Sequence, residues 1–472
     1  MKRNIILLTF LSLFVWGCGS SNNISSNSES ASESLVSESS EIMYNKTLDM
    51  TYTFKENGIN NPGNGQGIIE ITPLGNAKNL GYYVIYLAND NEIIAGLDEF
   101  ASIKSTGNKV TIELKDGIYL PNEATRLIAF ESTMSFFDDI PDITTANAIC
   151  NIKDKEDVFL GNLQFKFAAA SDVHMNYQDY NRGAIEKWEK ALNFFYENNA
   201  EYVIVTGDMT GDDALDYEYQ TYVDIINKSP IDFNNVFECI GNHGNTPAKI
   251  NLMNQYLKGT KQIHPKENSP YYHVLIEGKD ESCKDNLFIF MQQELLAPGD
   301  TAKYDNFSKE QIDWLESLLV QYSNTNTNIF LIEHSPFLNF GAGDRNPSGY
   351  GGLLKLNSSY TQTLRFKSLL EKYKDVIMMS GHTHLTFYDG QNYSNVNGTF
   401  AHTVHISSTC QPNSYNEEGK YVRNTDGRYE VTPTYGSEAY LVEVYDNYIF
   451  FKGYNLVTKK LIPSACFLIE IW

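Results

Sequence analysis

Metal-capable side chains recur at the ends of predicted strands, and this recurrence constrains the fold more than any other feature of the 472-residue chain. Five of the nine histidines lie at such ends, each near Gly, Asp, Asn or Pro. In chain order the segments are Asp172-Val173-His174, Gly207-Asp208, Gly241-Asn242-His243, His334 before Ser335-Pro336, and Gly381-His382-Thr383-His384. Ligand sites in α/β sheets collect where strands end and loops begin. The series therefore predicts an α/β domain in which distant segments meet in one pocket.

The surrounding pattern supports an α/β domain, because predicted strands and helices alternate from about residue 163. Apolar runs predict strands at 165–170, 202–206, 236–240, 272–276, 287–291, 329–332 and 376–379. Helical spacing predicts helices at 182–198, 214–227, 309–322 and 361–373. The segments at 439–445, 448–454 and 465–471 are typical of closing antiparallel strands. Trp314 and Leu315 fall in the third helix and are predicted to lie in the core.

The region before this domain has a different pattern. Short segments rich in β-branched and aromatic residues, at 67–71, 81–87, 110–114 and 125–130, are separated by clusters of Gly, Asn and Asp. This spacing is typical of a small β-sandwich. We therefore predict an accessory all-β module at 43–160, immunoglobulin-like or fibronectin-III-like, followed by the α/β domain at 161–472.

The chain begins with a predicted export signal at 1–17. Lys2 and Arg3 precede an apolar run at 5–16, which is too short to span a bilayer as a helix. The run ends at Gly17-Cys18, which resembles a bacterial lipobox, although Trp16 is bulkier than the usual small residue. Residues 18–42, rich in Ser, Asn and Glu, predict a flexible tether. We predict an extracytoplasmic lipoprotein anchored through Cys18; the alternative is an ordinary signal peptide with an incidental cysteine.

Charge and cysteine content limit the partners and the covalent framework. A formal net charge of −23 argues against a large nucleic-acid footprint, whereas bound cations would still admit a small phosphorylated substrate. The cysteines beyond Cys18 are odd in number and scattered, which is unlike a disulfide framework. They are Cys150, Cys239, Cys283, Cys410 and Cys466. Up to two pairs remain open, and buried thiols are the favoured alternative.

Each polar segment has an ordinary explanation when taken alone. An Asp-x-His pair is usually a capping or satisfied loop group, Asn-His after Gly is often a turn, and His-x-His can be an exposed strand face. Five such segments in one order, each at a strand end, are much harder to explain in this way. If the backbone stays extended at Asp172 and His174, their side chains point the same way and converge on a cation. Oxygen and nitrogen donors without thiolates suit Zn, Mn or Fe.

The five segments together resemble the motif series of the calcineurin-like metallophosphoesterases, over about residues 163–410. The resemblance implies a four-layer α/β/β/α domain with a dinuclear metal centre. By motif, one ion would be bound by Asp172, His174, Asp208 and His384, and the other by Asp208, Asn242, His334 and His382. Asp208 would then bridge the two ions, and His243 would contact the phosphate and assist the leaving group.

The function implied is dinuclear-metal-dependent hydrolysis of phosphate monoesters or diesters outside the cytoplasmic membrane. Two alternatives stay open: a catalytically silent surface-binding lipoprotein, and a hydrolase of envelope polymers or lipid phosphates. Two positions depart from subfamily patterns. Gly244 stands where many members have an acidic residue, and Gly211 stands where purple acid phosphatases have tyrosine, so a tyrosinate–iron site is not expected.

Four further residues have open roles. His402 and His405 flank a strand-like stretch at 403–407, so they either line the substrate pocket or occupy opposite strand faces without a function. Asp212 and Asp213 follow the Gly-Asp segment and are either partners of the metal ligands or solvated loop residues.

Overall fold

The structure is a computed structural model that describes most of the chain between Ile42 and Ile471. The described residues are 42–55, 65–114, 118–137, 139–153, 155, 157–175, 183–211, 216–244, 246–280, 282–294, 307–343, 353–389, 391–415, 421–422 and 436–471. The predicted signal at 1–17, Cys18, almost all of the predicted tether, Asp212 and Asp213 lie outside them.

The N-terminal region contains seven antiparallel strands in two sheets. The strands are β1 (Leu48–Phe54), β2 (Gly67–Pro73), β3 (Tyr82–Ala88), β4 (Ala101–Lys104), β5 (Val110–Leu114), β6 (Arg126–Ser132) and β7 (Ala148–Asn151). One sheet has the order β1-β2-β5 and the other β4-β3-β6-β7. Their inward residues, such as Ile69 of β2 and Ile85 of β3, belong to one buried apolar cluster. The two sheets therefore pack face to face.

The rest of the chain alternates strands and helices as predicted. The elements are β8 (Leu163–Ala170), α1 (Ala184–Glu197), β9 (Tyr202–Val205), α2 (Asp216–Lys228), β10 (Val236–Glu238), α3 (Pro247–Tyr256), β11 (Tyr272–Ile276), β12 (Asp285–Phe290), α4 (Lys309–Tyr322), β13 (Thr327–Ile332), α5 (Thr361–Lys372), β14 (Ile377–Ser380), β15 (Tyr393–Ser394), β16 (His402–His405), β17 (Ser414–Tyr415), β18 (Tyr421–Val422), β19 (Glu438–Tyr445), β20 (Tyr448–Asn455) and β21 (Lys460–Glu470).

These strands form two six-stranded sheets and a small β17-β18 hairpin. The first large sheet has the order β10-β9-β8-β19-β20-β21, and the second has the order β11-β12-β13-β14-β16-β15. Strands β8, β9 and β10 run parallel, as do β12, β13, β14 and β16. Parallel strands end at one edge of their sheet, so loops that are far apart in sequence meet there.

The two large sheets pack against each other through aromatic side chains. The ring of Phe167 in β8 lies 5.2 Å from the rings of both Phe288 in β12 and Phe330 in β13. Strand alternation separates the two faces of β13. Phe330 packs into the core between the sheets, whereas Leu331 packs into a second cluster with Leu315 of α4 and residues of α5. Helices α4 and α5 therefore cover the outer face of the second sheet.

The remaining helices contribute to the core of the first sheet. Trp188 of α1 is fully buried and stacks on Tyr222 of α2 at 5.5 Å. Leu192 and Phe195 of α1 belong to the same cluster as Phe167. The chain is thus a mixed α/β protein whose helices pack on its sheets.

The N-terminal region pairs with the outer edge of β21. The Asp98 N–H donates to Leu461 O at 2.8 Å, the Leu461 N–H donates to Gly96 O at 2.9 Å, and the Tyr119 N–H donates to Cys466 O at 2.7 Å. The chain from Met43 onward forms one compact unit. The predicted division between 160 and 161 therefore stays a prediction.

The described residues also bear on the cysteines, on the predicted core position of Trp314 and Leu315, and on membrane-spanning helices. Within the described ranges, no disulfide joins any of the five cysteines, and Cys239, Cys410 and Cys466 are buried. Trp314 is partly buried and Leu315 fully buried, in agreement with a core position for this part of α4. None of the helices in the described part of the chain has the length and apolar content needed to cross a membrane.

Candidate metal centre

The structure brings all the predicted site residues to the carboxyl ends of the parallel strands. Three groups of side chains have potential ligand atoms within 4.8 Å of one another. The first group is Asp172, His174 and His384; the second is His174, Asp208 and His243; the third is Asp208, His334 and His382. Asn242 contacts the third group. The predicted convergence of five sequence segments is therefore observed.

Five of the predicted ligands have left-handed backbone conformations. They are Asp172 (φ 51°), His174 (φ 47°), Asp208 (φ 49°), His382 (φ 69°) and His384 (φ 53°). The expectation of an extended backbone at 172–174 is therefore wrong, although the side chains do converge. Left-handed non-glycine residues cost about 1–3 kcal/mol each and concentrate at functional sites. Bonds between the β8 and β9 loops hold this conformation, since the His174 N–H donates to Asp208 O at 2.9 Å.

Two glycines allow the ligand loops to approach closely. A Cβ on Gly241 would lie 1.8 Å from Oδ1 of Asp208, and a Cβ on Gly381 would lie 1.8 Å from Oγ of Ser171. No side chain fits at either position without displacing a neighbour of the site. Packing therefore requires glycine immediately before Asn242 and before His382.

One carboxylate oxygen of Asp172 faces the two histidines of the first group and accepts no hydrogen bond. Its Oδ2 accepts from Ser171 Oγ at 2.5 Å and from the His382 N–H at 3.0 Å. Its buried Oδ1 accepts no hydrogen bond, yet lies 3.0 Å from Nε2 of His384 and 3.6 Å from Nε2 of His174. A buried carboxylate oxygen left in this way calls for a partner.

The third group is a cluster of oxygen and nitrogen atoms around His334. Nε2 of His334 lies 3.1 Å from Oδ2 of Asp208 and 3.0 Å from Oδ1 of Asn242. The same Asn242 oxygen lies 2.8 Å from Nδ1 of His382. The other nitrogen of His334, Nδ1, lies 2.8 Å from Thr206 O, which orients the ring with Nε2 toward the cluster.

The electrostatics of this cluster favour positive charge. Burial lowers the pKa of His334, but the carboxylates of Asp208 and Asp172 outweigh it and raise that pKa to about 9. Burial likewise opposes ionisation of Asp172, but His384, His174 and His334 hold its pKa well below the usual range. Without a bound ion, a proton supplies the positive charge; a metal cation would replace it.

The residues fit metal ions in chemistry and in spacing. Zn-type ions bind His nitrogen and carboxylate oxygen at about 2.0–2.2 Å, which places neighbouring ligand atoms of a tetrahedral site about 3.3–3.6 Å apart. The separations above, from 2.8 to 3.6 Å, overlap this range. Nδ1 of His384 lies 3.1 Å from Gln411 O, a backbone partner of the kind that orients a ligating imidazole. Oxygen and nitrogen donors without thiolate suit Zn, Mn or Fe.

His243 lies at the solvent side of the centre. Its backbone N–H donates to Oδ1 of Asp208 at 3.0 Å, and its Nε2 lies 3.5 Å from Oδ2 of the same residue. The side chain is 25% exposed, whereas those of Asp208 and His334 are 1% exposed. Lys249 Nζ donates to His243 O at 2.8 Å and supports the turn that carries it. His243 is thus accessible from solvent while it remains next to the ligands.

The structure places neither His402 nor His405 in the three ligand groups. His405 is fully buried with Nε2 3.1 Å from Leu385 O, and His402 Nδ1 lies 2.9 Å from Tyr393 Oη. Burial lowers both pKa values to about 4. His402 instead lines a cavity of about 530 Å³ with Lys284 and Asp375. Both histidines are therefore neutral groups of the second sheet.

The match to a protein family agrees with this site. The sequence profile described as calcineurin-like phosphoesterase matches residues 165–385, which contain all five segments. No curated protein sequence matches the chain. A purple acid phosphatase from seeds of yellow lupin (Lupinus luteus) is 13% identical over 86% of this chain and 72% of that chain, with a TM-score of 0.41. The sulfate thiohydrolase SoxB of Thermus thermophilus is 9% identical over 66% of this chain and 57% of that chain, with a TM-score of 0.32.

Proposed function

We propose that this chain, a metal-dependent phosphoesterase whose residues 165–385 match the calcineurin-like phosphoesterase family, uses two metal ions to hydrolyse phosphate monoesters or diesters of small molecules. The two ions would be held as the motif series implies, one by Asp172, His174, Asp208 and His384, the other by Asp208, Asn242, His334 and His382. Zn, Mn or Fe would fit these donors.

The observation that carries the proposal is the cluster of carboxylate, amide and imidazole atoms that face one another at the ligand groups. Oδ1 of Asp172 is buried without a hydrogen bond, and Oδ1 of Asn242 points at two imidazole nitrogens. Asp208 shares one ligand group with His174 and another with His334 and His382, so it lies next to predicted ligands of both ions, which supports a bridging role. Bound cations would give Asp172 Oδ1 a partner and would be coordinated by Asn242 Oδ1.

Each residue then has a distinct task in the reaction. A pair of cations would supply Lewis-acid polarisation of the ester and a water nucleophile at neutral pH. The left-handed loops and Gly241 hold Asp208 at one position between the groups. His243 is exposed enough to meet the substrate and would donate a proton or hydrogen bond to the leaving oxygen.

The wider setting is part of the same proposal. The two large sheets with helices outside them support a four-layer α/β/β/α domain, and the strands of 48–151 support an accessory β-sandwich of immunoglobulin or fibronectin-III type. The sequence of 1–42 supports export and a lipid anchor on Cys18, which would place the enzyme in the bacterial cell envelope. The net charge of −23 favours small phosphorylated substrates over nucleic acid.

The test is turnover after removal and return of metal. The purified protein is stripped with chelator, reloaded with Mn²⁺, Zn²⁺ or Fe²⁺, and assayed with p-nitrophenyl phosphate and bis-p-nitrophenyl phosphate. We expect activity to vanish on stripping and to return with two ions bound per chain. Asp232→Asn, at an exposed position outside the three ligand groups, serves as the control variant.

Other results would select the alternatives. Two bound ions without turnover of either ester would favour a surface-binding lipoprotein. Turnover of phospholipid or teichoic-acid phosphate but not of the small esters would favour an envelope hydrolase. A chain that takes up no metal would remove the enzymatic proposal.

A further inference from the structure

The segment from Ser407 to Asn413 joins two ligand-bearing loops that come from different sheets; we call it the bracket. At one end, Ser408 Oγ donates to Asp172 O at 2.8 Å, and the Thr409 N–H and Oγ1 both donate to Ser171 O, at 2.9 and 2.7 Å. These bonds fix the loop that follows β8. The bracket therefore holds the backbone of Asp172.

The other end of the bracket holds the loop that follows β14. Gln411 O lies 3.1 Å from Nδ1 of His384, and the Asn413 N–H donates to His384 O at 2.7 Å. The Thr386 N–H donates back to Asn413 O at 2.9 Å. Both the ring and the backbone of His384 are thus positioned by the bracket.

The bracket is compact because Ser408 also binds its own turn. Its Oγ accepts from the Cys410 N–H at 3.1 Å and from the Gln411 N–H at 2.8 Å. Ser407, Ser408, Thr409 and Cys410 are at most 1% exposed. A shift of the turn at Ser408 would therefore move Gln411 O and Asp172 together.

A lysine side chain that is not among the predicted metal ligands also contacts the bracket. Nζ of Lys187, on α1, donates to Cys410 O at 2.5 Å, one residue before the carbonyl that orients His384. Lys187 is only 8% exposed, and the next residue, Trp188, is fully buried in the core. Burying an ammonium is costly unless it is well partnered, so this contact is a strong restraint on the bracket.

We propose that Lys187 is a positioning residue mainly for one metal position, that of Asp172, His174 and His384. It acts through the Cys410 carbonyl and the bracket, which binds the loops of Asp172 and His384 directly. The other position is linked to these loops through His382, whose N–H donates to Oδ2 of Asp172, so it should be weakened less. The inference rests on the dinuclear centre of the proposed function.

The test measures metal binding rather than activity alone. Lys187→Met keeps the aliphatic stem and removes the charge; Lys190→Met, on the same helix with its side chain 66% exposed, is the matched control. Loss of an outer partner of a ligand lowers metal affinity about 10- to 100-fold. In Co²⁺ and Zn²⁺ titrations we expect Lys187→Met to lose affinity mainly for one ion, by up to that factor, while Lys190→Met binds both ions as the parent does.

His384→Ala identifies which ion is lost, because its one-ion Co²⁺ spectrum should match that of Lys187→Met at limiting metal. Ser408→Ala should give the same one-sided loss and decides the question if Lys187→Met does not fold. Equal weakening of both ions, or no weakening in either variant, overturns the inference. A parent protein that binds fewer than two ions contradicts the dinuclear centre instead, so the two failures are distinguishable.

Discussion

Gly241→Ala tests whether close approach of the β10 loop to Asp208 sets the metal centre. The new Cβ would lie 1.8 Å from Oδ1 of Asp208 and 2.5 Å from its backbone nitrogen, whereas ordinary contact begins at 3.4 Å. Oδ1 must therefore move by about 1.6 Å, or the loop must retreat by as much. Because the new Cβ would also clash with the backbone nitrogen of Asp208, rotation of the Asp208 side chain alone does not relieve the clash.

A displacement of about 1 Å at a catalytic group can reduce the rate about 100-fold, or about 2.7 kcal/mol of transition-state stabilisation. We expect Gly241→Ala to lower kcat/KM for p-nitrophenyl phosphate by at least that factor and to weaken both ions, because Asp208 lies in two ligand groups. Gly259→Ala is the matched control, since its Cβ would meet nothing closer than 4.0 Å. Activity of Gly241→Ala within threefold of the parent, with two ions bound, would refute the reasoning.

Three other changes have defined outcomes. Asp208→Asn should abolish turnover and reduce occupancy of both metals together in elemental analysis; full activity would contradict the bridging assignment. His243→Ala should slow turnover by about 10²–10⁴-fold while both ions stay bound, because it removes a proton donor and no predicted ligand; loss of an ion would make His243 a ligand. Burial raises the pKa of Glu238, whose Oε1 accepts from Tyr222 Oη, to about 8, so the folded chain keeps a proton that the unfolded chain releases above pH 4.5. The contribution of Glu238 to the free energy of unfolding is therefore full below pH 4.5 and falls as the pH rises towards 8. Glu238→Gln should remove this fall, so that urea unfolding shows chelator-treated protein stabilised at pH 8 by up to about 4 kcal/mol. The exposed control Glu267→Gln should leave the stability unchanged.

Much of the secondary structure could be predicted because hydrophobic periodicity is strong where both faces of an element are constrained. The predicted bounds of β5, β11 and α4 coincide with the structure, and most other strands differ by one to three residues. Elements with weak hydrophobic periodicity could not be predicted from the sequence. Strand β4 has only four residues with no fully buried side chain, and α3 buries only Met253, although Thr246 caps it and Pro247 begins it.

The convergence of the metal-capable side chains could be predicted from residue types at strand ends and is confirmed, whereas their roles as ligands, implied by the family resemblance, stay predictions. The left-handed backbone at Asp172, Asp208 and the two histidines of the last segment could not be predicted, because tertiary bonds between loops impose it against local preference. The bracket left no sequence signal either. Ser408 and Lys187 become significant only through contacts with residues more than 200 positions away.

The pairing of the N-terminal region with β21 has a consequence for the integrity of the enzyme. An open strand edge offers its peptide groups to any other extended chain and invites polymerisation. Residues 96–98 and 119 occupy those groups at Leu461 and Cys466. A catalytic fragment freed by proteolysis near residue 160 would therefore be prone to aggregate, and the β-rich region would protect solubility whatever else it binds.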